Sequence, residues 1–351
     1  MTENQLLLEI KEQPEALRRL YAAYIDRENQ NLHQAAELVR SSGFTIMAGM
    51  ATSEYANYAA SSLLNNNAIP NFVYDVSELL YYHLPILFQP GACLVLVSQS
   101  GNSAEIVHIL KEVKGKVPII GVFNDETSYL AQNCDIPLPI YAGPQLACGS
   151  KTNLSSVAML NLLAIAAAGL DLKAAGENVL ASACSIQRFL SDWQTQVDPL
   201  VEFLAGSRYT VFLGRGPGRA SAMFSATLFR EVPKVVAEGM GAAAFRHGLR
   251  EMIQPEDRVV IFAPQSHTQP YLFRIVEDLL DIDVPVLLVC NSDPALASGK
   301  EPQVLRTEYL PEMWAPLLDM VPLQLAGYEL AKQRGIEPGK LVVSTYVTTV
   351  E

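Results

Sequence analysis

The six residues Ser98, Gln99, Ser100, Gly101, Asn102 and Ser103 are of the types that could hold an anion. They follow an apolar, β-branched run at 93–97 and precede an amphipathic pattern over 104–113. Gly101 permits a tight turn. Free N–H groups at a helix start point outward, and the helix macrodipole favours negative charge there. No lysine of the GxxxxGK[ST] type is present, so this is not a nucleotide-binding P-loop. Hydroxyls in place of a cation suit a monophosphate on a small molecule that must come and go. The same residues could equally make an ordinary strand–helix turn with Ser103 as N-cap.

Other chemistry-bearing residues are less telling. Arg215 and Arg219 in Gly214-Arg215-Gly216-Pro217-Gly218-Arg219 could meet a phosphate bidentately. The last glycine of a GxGxxG pattern is missing, so a tight βα turn is the simpler expectation. Tyr81, Tyr82 and His83 could stack on a sugar, yet aromatic residues at a helix end are more often core, and burial is expected. His33, His108 and His267 lack metal-ligand spacing. The five cysteines form no CxxC or Cys/His cluster and lie mostly in apolar runs. Reduced core thiols are expected, with no zinc, no disulfide framework and no cofactor.

These residues need elements to position them. The chain has 351 residues, half of them hydrophobic, which suits two domains of about 150 residues. The net charge of −12 argues against a nucleic-acid partner, because polyphosphate needs a basic face. A local nest of N–H groups can still hold one phosphate on an acidic protein. The N-terminal stretch lacks a signal-peptide apolar core, and the longest apolar run, 157–170, is too short to span a bilayer. A cytoplasmic protein without a membrane partner is expected.

Periodicity predicts a helix from Pro14 to about Ser41, then strands at 44–50, 71–76, 93–97, 117–123 and 135–140. Helices are predicted at 54–65, 104–113 and 151–169. A long helical linker covers 172–206. The rhythm then restarts with strands at 209–214, 234–238, 258–264 and 284–290, and helices at 219–230, 269–280 and 314–333. Near-continuous apolar strands alternating with helices indicate an α/β fold with parallel sheets covered on both faces. The repeated order of elements suggests an internal duplication. The expected division is a helical segment 1–42, α/β units at 43–171 and 207–334 joined by 172–206, and a tail 335–351.

Four motifs add a resemblance: GMATS (49–53), SQSGNS (98–103), AGPQLACGS (142–150) and LGRGPGRASA…FREVPKVVAEGMGAAAFRHG (213–248). With the terminal VTTVE they make the chain similar to the SIS (sugar isomerase) domain family used in tandem. Within that family it resembles the isomerase half of glucosamine-6-phosphate synthases and related amino-sugar-phosphate deaminases and deglycases. The resemblance covers roughly residues 40–351. It implies two flavodoxin-like units, a sugar-phosphate site at the carboxyl ends of the first unit's strands, and a homodimer with shared active sites. It places phosphate and sugar binders at Ser53, Ser98, Gln99, Ser100, Ser103 and Ser150, and Gln145 where the family usually has an acid. A proton-shuttling carboxylate falls on Glu231, a ring-opening imidazole on His247, and a second acidic position on Glu238. The family's lysine three residues before the carboxylate is Leu228 here. Its tail lysine falls on Tyr346, with Lys340 nearby. No N-terminal cysteine nucleophile precedes the repeats, so glutamine-dependent activity is not expected of this chain.

Moving a carbonyl between C1 and C2 of a sugar needs one base that carries a proton between adjacent carbons. A carboxylate raised by a dry pocket serves. Opening the ring needs proton transfer between ring oxygen and anomeric hydroxyl, which suits histidine. Glu231 directly precedes Val232-Pro233, so it should end a helix, where the dipole disfavours its anion. A solvated carboxylate, or a salt bridge to Arg230 or Arg246, is the competing expectation for it. The implied activity is an amino-sugar-phosphate isomerase/deaminase of the glucosamine-6-phosphate type. The alternatives are a fructosamine-6-phosphate deglycase and a non-catalytic sugar-phosphate-binding regulator.

Overall fold

In the computed structural model, residues 3–297, 299–343, 345 and 347–348 are described. The chain divides into two compact units. One holds Glu12–Gln145, Gly149–Ala183 and the tail from Leu341. The other holds Cys184–Lys340 with the N-terminal segment to Lys11 and Leu146–Cys148.

The chain opens with helices α1 (Gln5–Lys11), α2 (Gln13–Tyr21) and α3 (Gln30–Ser41). One helix to Ser41 was expected from the apolar periodicity. It is broken because Asn29 turns extended and its side chain accepts the N–H groups of Asn31 and Leu32. The first sheet follows: β1 (Phe44–Gly49), α4 (Thr52–Tyr55), α5 (Asn57–Asn66), β2 (Asn71–Asp75), α6 (Val76–Glu78), β3 (Ala92–Ser98), α7 (Ala104–Val113), β4 (Ile119–Phe123), α8 (Tyr129–Asn133), β5 (Ile136–Pro139) and α9 (Lys151–Ala167). The predicted linker is two helices, α10 (Leu172–Ser191) and α11 (Trp193–Leu204), parted at Asp192.

The second sheet repeats the pattern: β6 (Thr210–Gly214), α12 (Gly218–Glu231), β7 (Ala237–Gly241), α13 (Ala242–Phe245), β8 (Arg258–Phe262), α14 (Gln269–Leu280), β9 (Val286–Cys290), β10 (Gln303–Arg306) and α15 (Ala315–Gln333). Strand β7 starts three residues later than predicted, because Pro233 ends α12 and Lys234 takes a positive φ of 54°. Strand β10 is short and was not expected.

Both sheets have five strands, all parallel, in the orders β2-β1-β3-β4-β5 and β10-β9-β8-β6-β7. Numbered within its own unit, each is 2-1-3-4-5, so the α/β, doubly covered expectation and the duplication both hold. Central strands β3, β4, β6 and β9 are buried along their whole length, as strands covered on both faces must be. In an open sheet of this order ligands lie at the carboxyl ends of the strands where the order reverses. In the first sheet that switch point falls between β1 and β3.

Candidate functional site

The cradle residues sit at this switch point. Gly49 at the end of β1 pairs with Val97 in β3, one residue before Ser98. Ser98 is buried, and its hydroxyl accepts the Gly101 N–H at 3.1 Å. Gly101 has φ +63°, and a Cβ there would lie 2.3 Å from Ser128 Oγ, so only glycine makes this turn without strain. Ser100 Oγ accepts the Asn102 N–H at 3.3 Å, and Asn102 Oδ1 accepts the Tyr129 N–H at 2.9 Å. Gln99 and Ser100 are half-buried at the turn.

Ser103 occupies the N-cap position of α7 with extended φ and ψ, yet its hydroxyl makes no cap bond. The ordinary-turn alternative, with Ser103 as N-cap, favours that bond without requiring it. The tail reaches the same spot: the Thr348 carbonyl accepts the Ala104 N–H at 2.9 Å. Tyr346 lies outside the described residues.

The turn after β1 and the start of α9 meet within the same unit. Ala51 adopts φ +46°, and Ser53 follows half-buried in α4. Asn153 Nδ2 donates to the Thr52 carbonyl at 2.8 Å, joining the start of α9 to the β1 turn. Ser150 is the N-cap of α9, fully buried, and its hydroxyl makes no cap bond and has no partner among the described residues. A buried hydroxyl without a partner carries a desolvation penalty, which a ligand oxygen would relieve. Gln145 is turned to the helix, its Oε1 accepting the Thr152 N–H at 3.0 Å.

The residues that the resemblance implies for proton transfer lie in the other unit. Glu231 is the last residue of α12, as its place before Val232-Pro233 predicts. Burial raises its carboxyl above the ordinary 4.5; Lys234, then Arg230, hold the rise back. No salt bridge from Arg230 or Arg246 reaches it. Arg230 donates to Thr227 Oγ1 at 2.8 Å, and Arg246 lies 3.6 Å from Asp278. Glu238 accepts from the Tyr209 hydroxyl. His247 is exposed in the turn before a short 3-10 segment at Leu249–Met252, and no hydrogen bond joins it to Glu231.

The SIS domain family matches residues 37–166 and 203–332, once over each sheet. The chain belongs to the SIS domain family. Among curated relatives, this SIS chain is 27% identical to the glutamine–fructose-6-phosphate aminotransferase (isomerizing) of Pyrococcus horikoshii over 96% of its length. It is 26% identical to that of Streptococcus pyogenes serotype M1 over 99% of its length. The chain spans only 56% and 58% of those two relatives. The fold is shared with the C-terminal domain of glucosamine-fructose-6-phosphate aminotransferase from Francisella tularensis, at TM-score 0.82 and 22% identity, covering 95% of this chain and 97% of that one. It is also shared with glucosamine-6-phosphate deaminase from Thermotoga maritima, at TM-score 0.77 and 20% identity, covering 99% and 100%.

Two lysines in the SIS units went unnoticed in the sequence. Lys151, next to Ser150, is 2% exposed and pairs with Glu12. A cation at the first position of a helix opposes the macrodipole, and that oddity was a readable signal. Lys234 donates to the carbonyls of Glu231 and Lys340, the latter at 3.2 Å. It supplies a cation beside Glu231 that the motif lysine, replaced by Leu228, cannot. Tyr81 and Tyr82 are 57% and 75% exposed, against the expected burial, because a π-helical turn over Leu79–His83 rotates them outward. Arg215 stands 5.6 Å over the Tyr271 ring. Among the described residues no cluster of three or more His, Cys, Asp or Glu could hold a metal, and no helix is long and apolar enough to cross a membrane.

Proposed function

We propose that the chain is an amino-sugar-phosphate isomerase/deaminase acting on glucosamine 6-phosphate or a close relative. The observation that carries this is the pair of N-cap serines, Ser103 and Ser150, whose hydroxyls cap nothing. They stand at the switch point and at the adjoining loop of an SIS unit. The names of the relatives, which act on fructose 6-phosphate or glucosamine 6-phosphate, support the substrate class.

In this reading Ser98, Gln99, Ser100, Ser103 and Ser53 hold the phosphate. Ser150 and Gln145 meet the sugar. His247 moves a proton between the ring oxygen and the anomeric hydroxyl, opening the ring. Its exposure and lack of a tie to Glu231 suit action on the substrate of a second copy, in a homodimer with shared sites. Glu231 removes the C2 proton of the open-chain aldehyde as the C1 oxygen takes a proton from solvent, leaving an enolamine with its hydroxyl on C1 and its amine on C2. It returns that proton to C1, which makes an imine at C2. Water adds to C2, ammonia leaves, and fructose 6-phosphate remains. A carboxylate raised by burial is basic enough to take the proton and acidic enough to return it.

The test is C2 proton exchange and ammonia release with glucosamine 6-phosphate, with C1 proton exchange and free-amine release from fructosamine 6-phosphates as a second arm. Glu231→Gln should abolish both in the responsive arm while leaving binding nearly intact. Full activity in Glu231→Gln would remove the assignment of the base. Sugar-phosphate binding by the wild type without turnover of any arm would favour a regulator.

A further inference from the structure

Helix α1 carries an acid where a core residue belongs. Leu6 and Ile10 are fully buried, and Glu9 is buried on the same face at 0% exposure. A carboxylate out of water must be met by donors, and these come from far along the chain. Glu9 Oε1 accepts the Leu146 N–H at 2.5 Å and the Ala147 N–H at 3.1 Å. Oε2 lies 3.2 Å from the same Ala147 nitrogen, and Gln5 Nε2 donates to Oε1 at 2.8 Å. Two successive backbone N–H groups make a small anion nest, filled here by the protein's own side chain.

The gripped loop leads straight to the site. Ala147 and Cys148 are buried, and Ser150, with its unpartnered hydroxyl, follows two residues later. Leu146–Cys148 cluster with the unit that carries Glu231. Cys148 senses both acids: burial pushes its thiol up, and Glu231 and then Glu9 push it further. The helix itself is tied down, since Asn4 Nδ2 donates to the Pro338 carbonyl at 3.1 Å.

We infer that Glu9 is a positioning residue, whose grip on the Leu146 and Ala147 N–H groups sets Ser150 for the sugar end of the substrate and leaves the phosphate cradle unaffected. This rests on the proposed role of Ser150. The cradle turn, 98–103, is held by its own bonds, from the Gly101 N–H to Ser98 Oγ and from the Asn102 N–H to Ser100 Oγ, so phosphate and sugar affinity should separate.

The experiment measures the affinity of the full chain for inorganic phosphate and for glucosamine 6-phosphate, alongside amide hydrogen exchange of residues 142–150. Glu9→Ala should speed exchange at Leu146 and Ala147 at least about tenfold while β6 and β8 amides keep their protection. It should weaken glucosamine 6-phosphate at least about tenfold and leave phosphate within about twofold, losses that follow from two freed donors. Glu9→Gln keeps one acceptor oxygen and should recover most of the affinity; it also serves if the alanine variant does not fold. Equal weakening of both ligands would mean general destabilisation, and unchanged sugar affinity despite faster exchange would mean the loop does not set Ser150. Either overturns the inference alone. A wild-type chain that binds neither probe would overturn the functional reading and this inference with it.

Discussion

Replacing Ser103 with alanine separates capping from ligand binding in one variant. An N-cap serine that bonds its helix contributes about 0.5–2 kcal/mol to stability. Ser103 makes no such bond, and its hydroxyl is half-buried at the start of α7. Its removal should therefore change unfolding free energy by less than about 0.5 kcal/mol, the range of an uninvolved surface substitution. A hydrogen bond to a charged phosphate is worth about 1.5–3 kcal/mol. At about 1.4 kcal/mol per tenfold, affinity should fall roughly 10- to 150-fold. The assay is calorimetric titration with glucosamine 6-phosphate, paired with urea unfolding of both proteins. Stability lost by about 1 kcal/mol with affinity unchanged would show Ser103 to be a cap, and the anion argument would fail at its strongest residue.

Two further outcomes follow from the geometry. Mixing the inactive Glu231→Gln and His247→Ala proteins should restore part of the activity if copies share sites, because one of the two sites in a mixed dimer keeps both wild-type groups; no recovery after verified subunit exchange would place both residues in one chain. Asp319, buried in α15 with Ser221 Oγ 3.3 Å away, is held well above its ordinary 3.8 by burial, and Ser221 pulls it partly back. Above about pH 4 the unfolded chain releases this proton while the folded chain keeps it, so the wild type loses stability up to the folded pKa, by at most about 1.4 kcal/mol per pH unit. The stability advantage of Asp319→Asn, read from urea melts at pH 4, 5.5 and 7, should grow with pH; a constant difference would mean Asp319 does not titrate abnormally.

Much of the fold was legible because it is local. Apolar runs of five to seven residues mark β1, β3, β4, β6, β8 and β9 within a residue or two. Failures occurred where two structures share one pattern. Apolar periodicity over 14–41 does not tell one helix from two, and Asn29's side chain decides the break before α3. The run at 234–236 reads as strand, but the backbone at Lys234 turns left-handed first. Strand β10, four residues at a sheet edge, carries too little signal to separate from a loop. The cradle was legible because its turn chemistry is contained in six residues. Glu9 and Lys151 were not, because their partners lie 137 to 139 residues away and only the folded chain brings them together.

The duplication also explains why the phosphate is assigned to one half. Gly49 pairs with Val97 and Gly214 with Phe262, so the residues after β3 and β8 align without a gap. Helices α7 and α14 begin seven residues after Val97 and Phe262 respectively, so the two turns have equal length. Ser98 then corresponds to Ala263, Gln99 to Pro264, Ser100 to Gln265, Gly101 to Ser266 and Ser103 to Thr268. The strand ends match too: a Cβ on Gly49 would meet Ser53 at 2.5 Å, and one on Gly214 would meet Gly218 at 2.1 Å, so both strands fold straight back into a helix. Yet Gly218 has no hydroxyl where Ser53 has one. Pro264 has no N–H to offer, and the Thr268 hydroxyl lies 3.1 Å from Ser266 Oγ, a bond within its own turn. Gln269 reaches back to the Ala263 carbonyl at 2.8 Å and holds the turn shut. The same backbone thus closes on itself in the second half. In the first half it leaves Ser103 uncommitted, and the second half's distinctive group is instead the half-buried carboxylate at the far end of α12.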